Sequence, residues 1–251
     1  MQTIKTNIDW FDKLIPDGLP VKSTTIITGP GGSGKPLIGE YFLSSWLKNG
    51  GSAVIISLQY PSPEFVMESV KNITGTDMSN YYDNLIFIRL NTQIQGYEQI
   101  NKQLIEANLV KPDVWEQTLD FTTKQLSANN PDIMVFVSAL NLLLFSPTYG
   151  ELIFNKIKDT LKRNTHLTYV FSVSTSAKKD EIAQLEKMAD NLMVSRSEKE
   201  PFCLYMRIER LKAGQFEHNE IQIPVSADTL NHIKEMANHS RAQVLPAILK
   251  T

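Results

Sequence analysis

Residues 29–36 read Gly29-Pro30-Gly31-Gly32-Ser33-Gly34-Lys35-Pro36. The spacing is that of a phosphate-binding loop, G-x-x-x-x-G-K-[ST], with one change: Pro36 stands where Ser or Thr is expected. In the intact loop, backbone N–H groups cradle phosphate oxygens, the lysine neutralises the distal phosphates and the hydroxyl holds magnesium. Gly29, Gly34 and Lys35 keep the first two functions, and Pro36 removes the third. Proline also lacks the backbone N–H that this position normally points at a phosphate. A hydrogen bond to a charged group contributes about 1.5–3 kcal/mol, and about 1.4 kcal/mol is tenfold in affinity. The loop is therefore expected to bind nucleotide weakly, or independently of metal. Proline is favoured at the first helical position, so a helix is expected to start at Pro36 even though the metal site is lost.

Working outward, residues 23–28 (STTIIT) are short and β-branched and run straight into the glycines, which marks a buried strand. Behind the loop, Leu37, Ile38, Tyr41, Phe42, Trp46 and Leu47 recur at helical spacing until Asn49-Gly50-Gly51 stops them. Residues 53–58 (AVIISL), 85–90 (LIFIRL), 133–137 (IMVFV) and 167–173 (LTYVFSV) are further buried strands. Helices are expected after Pro61-Ser62-Pro63-Glu64, over about 149–163 and over about 180–190, and the polar region 93–129 has a helical pattern with a break near Lys111-Pro112. Strands alternating with helices imply a mostly parallel central sheet covered on both faces, a three-layer α/β fold. Three closely spaced pieces, 191–195, 202–211 and 217–225, suggest an antiparallel extension at one sheet edge. A last helix over 228–238 and a tail over 241–251 complete the chain. One domain over 1–251 is expected, with a leading segment 1–22, an α/β core 23–195, antiparallel strands 196–227 and a C-terminal helix and tail 228–251.

Composition narrows the function. The 251 residues are 42% hydrophobic with a net charge of −2 and a pI of about 6.1, so no global field draws the chain to nucleic acid or anionic membrane. Cys203 is the only cysteine, which excludes an internal disulfide and a cysteine-based zinc site. The four histidines, His166, His218, His232 and His239, lack the close pairing of a metal site. The first residues, MQTIKTNIDWFDKL, have no apolar signal region. The longest apolar run, 133–145, is shorter than the roughly 20 residues of a membrane span. A cytoplasmic protein without a membrane span is expected.

The order Asp9, then Leu14-Ile15-Pro16-Asp17-Gly18-Leu19-Pro20, then the strand at 23–28 and the glycine loop, resembles the opening of KaiC-like members of the RecA superfamily. There a G-[IL]-x-x-[FL]-D-x-L-L-x-G-G-[LI]-P-x-G type of segment precedes the phosphate loop. The resemblance covers roughly residues 5–225 and implies a RecA-type ATPase core, nucleotide held at subunit interfaces of homo-oligomers or of hetero-oligomers with related RecA-like subunits, and work in signalling or regulation.

Departures from the family pattern concern hydrolysis. Where the family strand ends in acidic residues that activate water, this chain has Gln59-Tyr60, and neither is a carboxylate base. Where the family has an Asp supporting the magnesium shell, Val137 falls, and Asp132 lies roughly 16 Å away at ordinary strand rise. Arg210-Leu211-Lys212-Ala213-Gly214 is similar to a family segment whose basic residues reach a neighbour's nucleotide, and equally suits exposed edge-strand charges. Ser172, Ser174, Thr175 and Ser176 fall where the family places a polar sensor of the terminal phosphate, and equally suit a turn and helix cap.

The expected nucleotide site is Gly29, Gly31, Gly32, Ser33, Gly34, Lys35, Pro36 and Leu37. It takes ATP or ADP with Lys35 as chief charge partner, and magnesium binding is doubtful. No catalytic residue and no metal ligand is assigned. The leading reading is a KaiC/RecA-like protein that binds nucleotide weakly without efficient hydrolysis and acts in regulation or assembly. Two others stay open: a live ATPase with an atypical magnesium site, and a scaffold that binds no nucleotide. Nucleic-acid binding is disfavoured because no basic stripe with interleaved aromatics is present.

Overall fold

The β-branched runs become strands because they bury both faces, and the glycine and proline breaks between them become the loops at either end of a sheet. The computed structural model describes the chain apart from residues 1, 61, 129, 131, 163–165, 201, 225, 227, 228, 230–234, 236 and 237, and apart from the side chains of 240 and 241. A small antiparallel pair, β1 (Thr3–Ile4) and β2 (Leu19–Pro20), flanks helix α1 (Asp9–Leu14). The central strands are β3 (Thr24–Thr28), β4 (Ser52–Ser57), β5 (Leu85–Leu90), β6 (Tyr97–Gln99), β7 (Leu104–Ala107), β8 (Ile133–Ser138), β9 (Thr168–Ser172), β10 (Asn191–Lys199), β11 (Phe202–Arg210) and β12 (Ile221–Ile223). They form one sheet in the order β12-β11-β10-β3-β9-β8-β4-β5-β7-β6. From β10 to β7 all neighbours are parallel, and antiparallel strands close both margins.

Period-two alternation divides the strand residues between two cores. Ile27, Ile55, Phe87 and Phe136 face α1, α2 (Lys35–Lys48) and α3 (Pro63–Thr74). Ile26, Val54, Val135 and Val137 face α4 (Pro112–Ser127), α5 (Gly150–Lys162) and α6 (Lys179–Met188). The result is the expected three-layer α/β architecture with a mostly parallel sheet. Because β8 and β9 separate β3 from β4, the chain leaving β3 crosses over neighbouring strands, and their carboxyl ends open a crevice where ligands of such sheets bind.

Three expectations are corrected. Residues 93–107 are not helical: they hold β6 and β7, and only Pro112–Ser127 is a helix. In β7, Ile105 and Ala107 are buried against the rest of the sheet, while Glu106 turns outward to Arg89 and Asn91 on and after β5. Four residues with a charge among them gave too short an alternation to stand out. Second, β10 runs to Lys199, and its first residues pair in parallel with β3, so the antiparallel extension on that side consists of β11 and β12. Third, β12 spans only Ile221–Ile223 rather than 217–225. The helix expected over 228–238 lies largely outside the described residues. Helix α2 begins at Lys35, one residue before the expected start, with Gly34 at its N-cap and Pro36 at the second helical position, where a missing N–H leaves no helical bond unmade.

Helix α2 lies close on the sheet because Gly39 faces Phe136: a Cβ there meets Phe136 Cε2 at 2.3 Å and Cζ at 2.6 Å. Gly→Ala in a helix interior ordinarily stabilises by up to about 1 kcal/mol. Gly39→Ala is expected to destabilise by about 1–3 kcal/mol through overpacking, and Phe136→Leu in the same chain to recover part of the loss, read from urea unfolding midpoints of the single and double variants.

Candidate functional site

At the carboxyl end of β3 the chain turns into the glycine loop, and two glycines are there for want of space. Gly29 has φ +142°, and a Cβ on it comes within 2.0 Å of the Ser195 carbonyl oxygen on β10. Gly34 has φ +74°, and its Cβ comes within 2.5 Å of Leu204 Cδ1 on β11. The loop is thereby pressed onto the sheet. Ser33 Oγ donates to Pro30 O at 2.8 Å and shares a 2.7 Å hydrogen bond with Ser195 Oγ.

Lys35 folds back over this loop. Its Nζ donates to Pro30 O at 2.5 Å and to Ser33 Oγ at 3.2 Å. Both partners are neutral, and burial pulls its pKa from 10.5 down to about 7. An anion entering the loop supplies the countercharge that this ammonium lacks.

Beside the loop lies a cleft of about 280 Å³. Of the residues expected in the site, Gly31, Gly32, Ser33, Gly34, Lys35 and Pro36 line it. Gly29 and Leu37 do not. Gly29 makes the turn, and the Leu37 side chain is buried in the core beneath α2. Sequence reasoning missed the far wall: Asn141, Leu142 and Phe145 follow β8, and Leu245 opens a terminal turn, α7 (Leu245–Ile248). Nothing local ties Leu245 to the loop, so only the fold could place it.

Ser172, Ser174 and Ser176 also line the cleft, and their positions are fixed by backbone contacts. Gly31 N donates to Ser176 Oγ at 2.9 Å, Ala139 N to Ser172 Oγ at 2.8 Å, and Ser174 N to Asn141 Oδ1 at 2.9 Å. Thr175 faces the neighbouring hollow beside Pro30.

Among the described lining residues, Lys35 is the one that carries charge. Gln59 lines the cleft, and its buried Oε1 has no hydrogen-bond partner among the described residues. Val137 is fully buried on the other face of the sheet, and β8 ends in Ser138, whose hydroxyl meets Ser57 Oγ at 3.4 Å. Asp132 precedes the opposite end of that strand. The donor set is amides, hydroxyls and one amine. It fits a phosphate chain and offers no anionic oxygen to a magnesium ion, which prefers carboxylates and phosphate oxygens. No group of three or more His, Cys, Asp or Glu suited to a metal occurs among the described residues.

Arg210 and Lys212 are not brought to the loop. Arg210 pairs in register with Leu192, at the amino-terminal end of the strands, and its guanidinium donates to Ala189 O at 2.8 Å. Lys212 Nζ is 3.1 Å from Asp190 Oδ1.

Behind the loop is a second group that the sequence did not reveal. Glu40 on α2 is fully buried. The Ser69 hydroxyl on α3 lies 2.9 and 2.8 Å from its two carboxyl oxygens, and the Tyr60 hydroxyl also donates to it. Tyr60 is thus turned into the core, while its neighbour Gln59 faces the cleft. Burial pushes the Glu40 carboxyl up from 4.5 to about 8, against the opposing pull of the Ser69 hydrogen bond. The one signal in the sequence was a carboxylate inside the run LIGEYF of a helix that is apolar nearly all round.

The family model described as "ATPase: KaiC" matches residues 4–231 of this chain. A KaiC-like protein from the hyperthermophilic archaeon Pyrococcus horikoshii has the same fold, with a TM-score of 0.68 over 90% of this chain and 95% of that one, at 14% identity. A UPF0273 protein of Pyrobaculum aerophilum is 28% identical over 78 residues, which are 31% of this chain and 27% of that curated relative's length.

Glu40 has a folded pKa above its ordinary value, so its contribution to stability is fully present below about pH 4.5 and is lost as pH rises through about 8. The stability of the wild-type chain relative to Glu40→Gln is expected to fall by up to about 1.4 kcal/mol per pH unit in that window. Urea unfolding of both proteins between pH 5 and 8 reads the difference, and a flat difference contradicts the burial of this carboxyl.

Proposed function

Because the chain belongs to the KaiC family of ATPases, we propose that it binds ATP or ADP on the glycine loop, weakly and without efficient hydrolysis, and acts in regulation or assembly rather than as an engine. The observation that carries this reading is the charge of the cleft: Lys35 is its one charged lining residue among those described. Phosphoryl transfer to water relies on a metal bridging the terminal phosphates and on a group that orients or deprotonates the water. Here Pro36 follows the lysine, β8 ends in Val137-Ser138, and Gln59-Tyr60 follow β4. Binding draws on what remains: loop amides, the N-terminus of α2 and the Lys35 ammonium. Assembly with copies of itself or with related RecA-like subunits is part of the same proposal. No described helix is long and apolar enough to cross a membrane.

Gln59 favours one alternative, a slow ATPase. Gln59 lines the cleft, and an amide side chain orients a water, although it cannot take the proton.

Calorimetric titration with ATP, with and without magnesium, with phosphate release followed in the same samples, tests the proposal. Expected are binding that ignores magnesium and no phosphate release. Magnesium-dependent binding with turnover overturns it in favour of the Gln59 reading, and absence of binding points to a scaffold. Pro36→Thr is expected to confer magnesium-dependent tightening without turnover, since Gln59, Tyr60 and Val137 still supply no carboxylate.

Proton uptake gives a second check. Lys35 titrates near 7 in the free protein, and a phosphate partner raises that value. Above pH 7, nucleotide binding should therefore take up a fraction of a proton approaching one, and affinity should weaken as pH rises toward 9. Titrations in two buffers of different ionisation enthalpy measure the uptake, and Lys35→Ala should abolish it together with most of the binding.

A further inference from the structure

We infer that Asn141 grips the terminal phosphate of a nucleoside triphosphate with its side-chain amide, a neutral donor in place of a metal ion. The inference rests on the nucleotide reading above and names the residue that reads the length of the phosphate chain.

In a phosphate-loop site the terminal phosphate lies between the loop lysine and the carboxyl end of the strand that ordinarily carries the metal-supporting acid. Here that strand is β8. It ends at Ser138 and passes through Ala139, in a left-handed conformation (φ +53°), into a 3-10 turn, Leu140–Phe145. Such a backbone is disfavoured for a residue with a side chain, and Ala139 N is held in it by Ser172 Oγ at 2.8 Å. The turn is apolar apart from Asn141, and Leu140, Leu143 and Leu144 bury it in the core. Asn141 itself is only 6% exposed, and it lines the cleft. An amide buried to that degree is costly unless its polar atoms find partners.

Half of this amide is accounted for. Oδ1 accepts from Ser174 N at 2.9 Å. A backbone N–H can only donate, so the half left over is the NH2 group. Nδ2 has no acceptor among the described residues, yet unlike Gln59 Oε1 it is not sealed from open space. The open space that Asn141 lines is the cleft.

A line of hydrogen bonds ties the amide to the glycine loop. Gly31 N donates to Ser176 Oγ at 2.9 Å, Ser176 N to Ser174 Oγ at 3.3 Å, and Ser174 N to Asn141 Oδ1. Ser172, Ser174 and Ser176 thus each accept from a backbone N–H, and their hydroxyl protons have no acceptor among the described residues. Besides Lys35, the described lining presents four side chains with unused donors and no carboxylate. Hydrogen bonds from such donors to a phosphate are roughly twice as strong as those between neutral groups, and a preorganised set of them holds an anion without a counterion. Asn141 stands apart from the serines because a hydroxyl proton rotates, whereas an amide bound at Oδ1 has its N–H directions fixed.

Titration calorimetry with ATP and ADP without magnesium, on the full chain, tests this. The wild-type chain is expected to bind ATP about tenfold more tightly than ADP, a difference of about 1.4 kcal/mol. Asn141→Asp keeps an oxygen for Ser174 N, replaces the donor by an anionic oxygen, and should abolish that preference while ADP affinity falls less than ATP affinity. If urea unfolding shows that this variant has lost its fold, Asn141→Leu, of similar shape and uncharged, decides in the same way. Equal wild-type affinities for ATP and ADP overturn the inference and leave the nucleotide reading standing. A preference for ATP that survives in the folded variant also overturns it, because Asn141 is then not the discriminator. If the wild-type chain binds neither nucleotide, both readings fall.

Discussion

A buried lysine whose side chain donates to the neutral oxygens of Pro30 and Ser33, Lys35, stands at the point on which the rest of the site depends. Burial disfavours the charged form of such a group, which brings its pKa down to about 7. The structure tolerates this because the loop around it is fixed from several sides. Gly29 is wedged against Ser195, Gly34 against Leu204, and Ser33 is tied to Ser195. All three contacts depend on β10 lying beside β3 in parallel register, with β11 packed outside it. The sheet order, which looks remote from chemistry, is thus what holds an electrostatically unfavourable lysine ready for a ligand.

Glu40 mirrors this arrangement on the other side of α2. It too is a buried ionisable group whose charged form burial disfavours, and its partners come from two different places in the chain, 20 and 29 residues away. Tyr60 and Ser69 pin the segment after β4 to the helix that begins at the loop. Gln59 is held at the cleft because its neighbour is held in the core. With Lys35 at one end of a helical turn and Glu40 in the next, α2 links the phosphate-facing loop directly to the segment where the family places its water-activating acid.

The fold was largely legible because its informative residues are consecutive. The STTIIT, AVIISL and IMVFV runs are long enough and apolar enough to be strands on both faces, and a glycine loop between strand and helix admits few architectures. The margins were less legible. β6 and β7 are three and four residues long, and Glu98 and Glu106 interrupt them. Within the site, the loop itself could be read residue by residue, since its chemistry is backbone chemistry at fixed spacing. The cleft could not, since Asn141, Ser176 and Leu245 meet the loop only through the sheet and the C-terminal turn. Leu37 shows the opposite case: adjacent in sequence to the lysine, it is turned away by the helix and spent on the core.

Both margins of the sheet end in antiparallel strands of three residues, β12 on one side and β6 on the other. A ladder that short gives an incoming strand few backbone groups to pair with, which is how sheet proteins avoid adhering edge to edge. The consequence is geometric: edges this short disfavour association of this chain with its like through backbone pairing and favour side chains on helices and loops. The specificity of any such contact then lies in surface chemistry rather than in the main chain.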